Sequence, residues 1–161
     1  MTNNDILRRF RYALDISNSA MIDIFRQSGH ELDQPSLIGL LKKEEEQGYQ
    51  ACTPALMTLF LDGLIIHKRG RRETAMASLA PSADELTNNA ILKKLRIALD
   101  LREDDMIAIM KLASVTISKP ELSALFRNPG HKNYKTCGDQ FLRNFLQGLT
   151  IRHRPTVPVE E

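Results

Sequence analysis

The chain has 161 residues, 42% of them hydrophobic, and a formal net charge of +2 at pH 7. That hydrophobic fraction is enough to build a packed interior, so we expect a globular protein. Arg8, Arg9 and Arg11 interrupt the early apolar segment, and no stretch reaches the roughly 18 apolar residues of a membrane span. We therefore predict no membrane span, no signal peptide and a cytoplasmic location. The two cysteines, Cys52 and Cys137, are too few for a disulfide scaffold, which predicts reduced thiols.

Two amphipathic helices are predicted first in the chain. The first carries an apolar stripe at helical spacing, with Asn3 or Asn4 available as its N-cap. This stripe consists of Ile6, Leu7, Phe10, Ala13 and Leu14. Asp15 then interrupts the pattern, and the polar residues after it can cap a second helix that carries Met21, Ile22, Ile24 and Phe25. Gly29 suits the left-handed conformation in which many helices end.

A short third helix and a longer fourth one are predicted next. Asp33 can cap the third helix, whose buried side is formed by Leu37, Leu40 and Leu41. A polar loop follows over residues 43–50. Thr53 and Pro54 predict the start of the fourth helix, because a threonine N-cap followed by proline at the first helical position is a common beginning. That helix carries Leu56, Leu59 and Phe60, and we predict that it stops at Gly63.

The second half of the chain repeats the first. Thr2-Asn3-Asn4 recurs as Thr87-Asn88-Asn89, a shift of 85 positions that then holds without a gap. The identical pairs include Asp15 and Asp100, Pro35 and Pro120, Cys52 and Cys137, and Gly63 and Gly148. The predicted organisation is a first repeat over 1–70, a linker over 71–85, a second repeat over 86–155 and a mobile tail over 156–161.

The predicted fold is all-α, with two tandem copies of a four-to-five-helix unit packed on each other, because a single copy is small for an independent core. No segment alternates with the period of a strand. The second and third helices predict a corner like that of a helix-turn-helix, with Leu32, Leu37 and Leu40 at the anchor positions. Gly29 lies too early for the DNA-binding form, and Phe25 stands where a small residue is needed, so we favour a structural corner.

The charge is divided unevenly between the copies. Residues 2–70 hold 8 Lys and Arg against 9 Asp and Glu, whereas residues 86–155 hold 12 against 6. The second copy could therefore meet phosphates, although solvated helix faces have the same composition and acidic residues at 103–105 favour that simpler interpretation. The candidate nucleic-acid-binding residues are Lys93, Lys94, Arg96, Lys119, Arg127, Lys132 and Lys135.

The remaining reactive residue types predict no catalysis. The histidines do not recur at equivalent positions of the two copies, so we expect no metal site and no cofactor. Cys52 and Cys137 are equivalent, and inward packing is their ordinary role. Asp15 and Asp100 are expected to shape a turn and not to act as paired acids. Since no glycine-rich phosphate loop, nucleophile elbow or zinc-helix motif occurs, we predict that the protein is not an enzyme.

Four segments carry a resemblance to a known family. They are TNNDILRRFRYALD, FLDGLIIHKRG, NNAILKKLRIALD and HKNYKTCGDQFLRNFLQGL. In their order, their duplication and a repeated FL-x-GL motif they resemble the YehS-like family, bacterial proteins built from a tandem domain of unknown function, 1456. The resemblance spans nearly the whole chain and implies a bacterial, cytoplasmic, helical protein. It brings no catalytic residue or ligand with it.

Two functional hypotheses follow from the difference between the copies. Glu44-Glu45-Glu46 in the first copy stands where the second has Pro129-Gly130-His131, so the copies present different surfaces on one scaffold. Our first hypothesis is a non-enzymatic tandem helical module that binds another macromolecule, a protein in the first instance. The alternative is a nucleic-acid-binding or transcription-associated protein that uses the basic second copy. The sequence leaves the oligomeric state open.

Overall fold

The computed structural model describes residues 1–70 and 86–154, and these ranges contain eight α-helices and no strand. The helices are α1 (Asn3–Leu14), α2 (Asn18–Gln27), α3 (Gln34–Leu40), α4 (Pro54–Arg69), α5 (Asn88–Ala98), α6 (Glu103–Leu112), α7 (Lys119–Leu125) and α8 (Asp139–His153). The all-α prediction is confirmed, with four helices in each described copy. The predicted linker and tail lie outside the described residues.

The first helix of each copy begins at a threonine, which corrects our prediction of an asparagine cap. The Thr2 hydroxyl accepts a hydrogen bond from the Asp5 N–H, and the Asp5 carboxylate accepts one from the Thr2 N–H. This reciprocal arrangement satisfies two N–H groups that the first turn leaves without helical partners. Thr87 caps α5 in the same position. Asn4 is thereby inside the helix and free to turn inward.

The turns that follow α1 and α5 confirm the structural role expected of the repeated aspartates. Asp15 and Asp100 have φ angles of 53° and 54°, in the left-handed region that ends a helix. Aspartate tolerates this conformation better than most residues with a side chain. Gly29, with φ 88°, turns the chain after α2, as predicted, and Ser114 does the same in the second copy with φ 65°.

The last helix of each copy continues past the glycine at which we predicted its end. Gly63 lies in the middle of α4 and Gly148 in the middle of α8. A methyl group on Gly63 would lie 1.9 Å from the carbonyl oxygen of Ile24 in α2, and one on Gly148 would lie 2.2 Å from that of Ile109 in α6. The glycines therefore serve a close crossing of two helices, which a Cβ would prevent, and they do not end the helix.

The two copies pack on each other through a reciprocal exchange of helices. Helix α1 lies against α8 and α4 lies against α5, so the first helix of each copy packs on the last helix of the other. Within each copy the last helix packs on the second, as α4 on α2 and α8 on α6. Buried side chains from both halves form one core. The predicted packing of the copies is confirmed, with the self-complementary pairing of an isologous interface.

The third helices are short and lie at the edge of each copy. Helices α3 and α7 have seven residues each, begin at the predicted cap Asp33 and at its counterpart Ser118, and pack against α2 and α6. The likeness of this corner to a helix-turn-helix stays a prediction. Across the described ranges, no helix has both the length and the apolar character that a membrane crossing requires.

Candidate functional site

A buried asparagine organises the same junction in both copies. The Nδ2 of Asn4 donates to the carbonyl oxygens of Leu40 and Gln50, at 2.8 Å each, and its Oδ1 accepts from the Cys52 N–H at 2.8 Å. Asn89 makes the same three bonds in the second copy. Each asparagine thus ties the first helix to the end of the third and to the loop before the fourth. Since its hydrogen-bonding atoms are occupied within the fold, its role is structural.

The two cysteines belong to this junction and are free thiols. Burial raises the pKa of Cys52 to about 12. Burial, with a contribution from the negative charge of Asp139, raises the pKa of Cys137 to about 11. A thiol with so high a pKa is a poor nucleophile at neutral pH because the thiolate is the reactive form. These values agree with the inward-packing role predicted for both cysteines.

The seven basic residues predicted as nucleic-acid contacts lie at different places in the second copy. Lys94 and Arg96 are already engaged: the Lys94 Nζ lies 2.6 Å from Asp62, and the Arg96 guanidinium donates to the Leu101 carbonyl and lies over the Phe126 ring. The others have exposed side chains, with Lys119 Nζ 3.9 Å from Asp104 Oδ1, and the loop between α7 and α8 brings three of them into one segment. The exposed ones are Lys93, Lys119, Arg127, Lys132 and Lys135.

A pair of reciprocal ion pairs joins the copies at the ends of their last helices. Arg69 Nη1 lies 2.7 Å from Asp100 Oδ1, and Arg154 Nη2 lies 2.9 Å from Asp15 Oδ1. Each aspartate ends the first helix of its own copy through the left-handed backbone described above. It lies there beside the last turn of the other copy's last helix. The ends of α4 and α8 are therefore fixed against the opposite copy.

An open cleft of about 410 Å³ lies between these helix ends, and we call it the terminal cleft. Its lining comes from both copies and comprises Lys68, Arg69, Ala98, Leu99, Asp100, Leu101, Arg152 and His153. The side chains of Lys68 and Arg152 are exposed and make no hydrogen bond or ion pair within residues 1–70 and 86–154. Asp100, by contrast, is paired with Arg69. The cleft thus offers cations to an anionic ligand.

The electrostatics of the terminal cleft favour such a ligand. Burial lowers the pKa of His153 below its usual value of 6.5, and the positive charges of Arg152 and Lys68 lower it further. The contribution of Lys68 places its charge, which comes from the first copy, near His153 of the second copy. Basic residues in a last turn also complement the negative end of the helix dipole, which is their simplest explanation. The helix dipole does not explain why the last turns of both α4 and α8 line the same cleft.

A second cleft of about 390 Å³ lies where α1 packs on α8, and we call it the side cleft. It is lined by Arg8, Arg9, Tyr12, Leu146, Gln147 and Thr150. Arg8 is held in the fold by Asp5 and by the carbonyl oxygens of Leu41 and Lys42. Arg9 is exposed, and its side chain makes no bond to any other described residue.

The terminal cleft was missed by sequence reasoning, although the sequence carries a signal for it. His67-Lys68-Arg69 and Arg152-His153-Arg154 occupy equivalent positions, so all three places are basic in both copies. His67 is matched by Arg152 and His153 by Lys68, so a comparison of histidine identities hides the basic character that the two triplets share. The convergence of the two triplets on one cleft depends on the exchange of helices between the copies, which the repeat does not reveal.

No group of three or more potential metal ligands occurs among the residues that the structure describes. The prediction that the chain binds no metal or cofactor stays a prediction.

Comparison with known proteins places the chain in a family. The family model described as "Protein of unknown function (DUF1456)" matches residues 3–70 and 88–154, one match for each copy. The chain is also 44% identical over 152 residues to a protein of Escherichia coli (strain K12) described as "Uncharacterized protein YehS", covering 94% of this chain and 96% of the relative. No solved structure matches. The predicted resemblance is confirmed: the chain belongs to the DUF1456 family, and the two matches together cover most of it.

Proposed function

We propose that the protein is a non-enzymatic, cytoplasmic helical module that binds nucleic acid through the terminal cleft. The observation that carries the proposal is the convergence of unpaired cations from both copies, Lys68 and Arg152, on one open cleft. Cations that neutralise phosphates supply most of the sequence-independent affinity for nucleic acid, because they release condensed counterions. Binding without catalysis is supported by the raised pKa values of Cys52 and Cys137, which make both thiols poor nucleophiles at neutral pH.

The proposal changes the surface that we predicted from the sequence. Of the predicted residues, Lys94 is paired with Asp62, and Arg96 is bonded to the Leu101 carbonyl and lies over Phe126, so both side chains are engaged within the fold. The loop cations Lys132 and Lys135 are exposed and form a secondary surface for the same ligand. The terminal cleft is favoured as the primary surface because it is concave and draws on both copies.

Titration of labelled duplex and single-stranded oligonucleotides at two salt concentrations tests the proposal by fluorescence polarisation. The cleft variant is the double substitution Lys68→Ala and Arg152→Ala, and its matched control is Lys43→Ala with Lys111→Ala, which removes the same charge elsewhere. Each lost phosphate contact should lower the magnitude of the slope of log K against log salt by about 0.7–0.9, so we expect the doubly substituted cleft variant to lose about 1.4–1.8.

Three outcomes decide the proposal. Weaker binding and a shallower salt dependence in the cleft variant alone would support it. Equal weakening in the control would show a response to net charge and overturn it, and so would an absence of binding by the unsubstituted protein at low salt. A further variant, Lys132→Ala with Lys135→Ala, measures the secondary surface in the same assay.

A protein partner is the second candidate function, and one observation favours it. The loop between α3 and α4 exposes Glu44, Glu45 and Glu46, whereas the corresponding loop of the second copy exposes no acidic residue at 129–131. Affinity capture from a bacterial lysate with and without nuclease separates the candidates. Proteins retained after nuclease treatment by the unsubstituted chain, and lost on replacing the three glutamates by glutamine, would support this second candidate.

A further inference from the structure

We infer that the side cleft binds an unpaired base stacked on Tyr12, so that the ligand of this protein is single-stranded nucleic acid. The inference rests on the proposed function. It adds that the ligand is single-stranded and that a second surface contacts it. Its basis is a difference between the α1–α8 interface and the equivalent α4–α5 interface.

The exchange of helices creates two equivalent interfaces, and one of them is closed by an ion pair. Where α4 meets α5, Lys94 Nζ lies 2.6 Å from Asp62 Oδ1, with the two side chains only 15% and 20% exposed. In the interface between α1 and α8, Arg9 replaces Lys94 and Gln147 replaces Asp62. The acid is lost there, both Arg9 and Gln147 are exposed, and a cleft is present.

The aromatic residue of the side cleft is also specific to this interface. Tyr12 is 50% exposed, and its counterpart in the second copy is the partly buried Ile97. The Arg154 guanidinium lies 4.1 Å from the centroid of the Tyr12 ring and covers it. Arg154 is itself fixed, since its Nε donates to the Tyr12 carbonyl at 2.6 Å and its Nη2 pairs with Asp15. Arg154 therefore holds one face of the ring, while the tyrosine as a whole stays 50% exposed.

These side chains match the chemistry of an unpaired nucleotide. An exposed aromatic ring offers a stacking surface that every base can use. The free guanidinium of Arg9 can meet a phosphate, and the Gln147 amide can donate to and accept from a base edge. A base inside a duplex has both of its faces covered by neighbours, so stacking on Tyr12 requires a single strand. Residues of α8 line both this cleft and the terminal cleft.

Substitution of Tyr12 tests the inference in the full-length protein with mixed-sequence single-stranded and duplex oligonucleotides. One stacked base contributes about 1–3 kcal/mol, so Tyr12→Ala and Tyr12→Leu should weaken single-strand binding between about fivefold and a hundredfold, whereas Tyr12→Phe should retain it. Gln147→Asp should also weaken binding, because it restores an acid opposite Arg9. Leu112→Ala is the control, since Leu112 is a large hydrophobic residue of similar exposure, at 44%, outside either cleft.

Tyrosine fluorescence gives a second readout that does not depend on affinity. The chain has three tyrosines and no tryptophan. In the Tyr49→Phe, Tyr134→Phe background Tyr12 is the single fluorophore, and stacking of a base should quench it. Thermal unfolding of each variant identifies any that loses affinity only through misfolding, and Tyr12→Leu keeps the apolar bulk for that comparison.

The results separate failure of the inference from failure of the proposed function. Selective loss of single-strand binding in Tyr12→Ala and Tyr12→Leu, with quenching of Tyr12, would support the inference. Unchanged single-strand affinity in both variants, together with weaker binding in the Lys68→Ala, Arg152→Ala variant, would overturn the inference alone. If the unsubstituted protein binds neither strand form, the proposed function fails and the inference fails with it.

Discussion

Replacement of Gly63 by alanine should destabilise the protein strongly, although alanine favours a helix. The substitution places a methyl carbon 1.9 Å from the Ile24 carbonyl oxygen, and ordinary contact begins at 3.4 Å, so α4 and α2 must separate by about 1.5 Å. The obstructing atom belongs to the backbone, so no change of side-chain rotamer can relieve the contact. The helices must therefore move apart.

The loss of stability comes from the packing contacts between α2 and α4 that this separation weakens. A gap of about 0.5–1 Å already forfeits a quarter to a half of each dispersion contact, and a buried side chain makes some 40–60 of them. The higher helix propensity of alanine, compared with glycine, offsets about 1 kcal/mol of this loss. Overpacking alone commonly costs about 1–3 kcal/mol, and we expect about 3 kcal/mol net because two helices are involved. For a chain of this size that is a decrease in Tm of roughly 6–12 °C.

Thermal and urea unfolding followed by circular dichroism would measure this effect. Gly148→Ala should behave similarly, because its methyl group would lie 2.2 Å from the Ile109 carbonyl oxygen. Gly130→Ala is the control, since no atom lies within 4 Å of the added methyl group. If Gly63→Ala leaves the free energy of unfolding unchanged, or raises it by the helix-propensity gain, the close crossing of α2 and α4 is refuted.

Three other expected results concern the junction and the interface between the copies. Asn4→Ala leaves a buried N–H and two buried carbonyls without their partner, so urea unfolding should show the free energy of unfolding lowered by about 3 kcal/mol. A decrease below about 1 kcal/mol would contradict the junction described above. Asp62→Ala leaves the Lys94 charge unpaired in a largely buried place and should lower the free energy of unfolding by about 1–3 kcal/mol. Adding Lys94→Met should recover part of that loss. If the loss came only from local effects of removing the aspartate, the second substitution would not reduce it. Cys52 and Cys137, with pKa values of about 12 and 11, hold little thiolate at pH 8, so alkylation of the native protein should be far slower than that of the unfolded chain; equal rates would exclude their burial.

Local signals in the sequence predicted the elements of the fold well. The caps Asp33 and Thr53 begin their helices where expected, because each acts on N–H groups within its own first turn. The left-handed turns at Asp15 and Asp100 are local in the same sense. These features depend on a few neighbouring residues and need no knowledge of the rest of the chain.

The errors arose where distant residues decide the role of a side chain. Asn4 resembles a helix cap in sequence, yet its partners are Leu40, Gln50 and Cys52, far along the chain. Gly63 resembles a helix end, yet its reason is the backbone of Ile24 in another helix. The candidate cations were chosen by the charge of one copy, whereas the terminal cleft combines charges of both. Sequence spacing could not predict these contacts.

The sequence by itself determined that this chain is helical, duplicated and bounded by definite caps, because hydrophobic period, capping and turn chemistry act over a few residues. Only the tertiary structure decided that the first helix of each copy packs against the last helix of the other. That exchange brings Lys68 and Arg152 to one cleft and leaves Tyr12 exposed beside Arg154 in another. The physical reason is that the small copies bury their apolar faces best against each other, and the clefts lie where those faces meet.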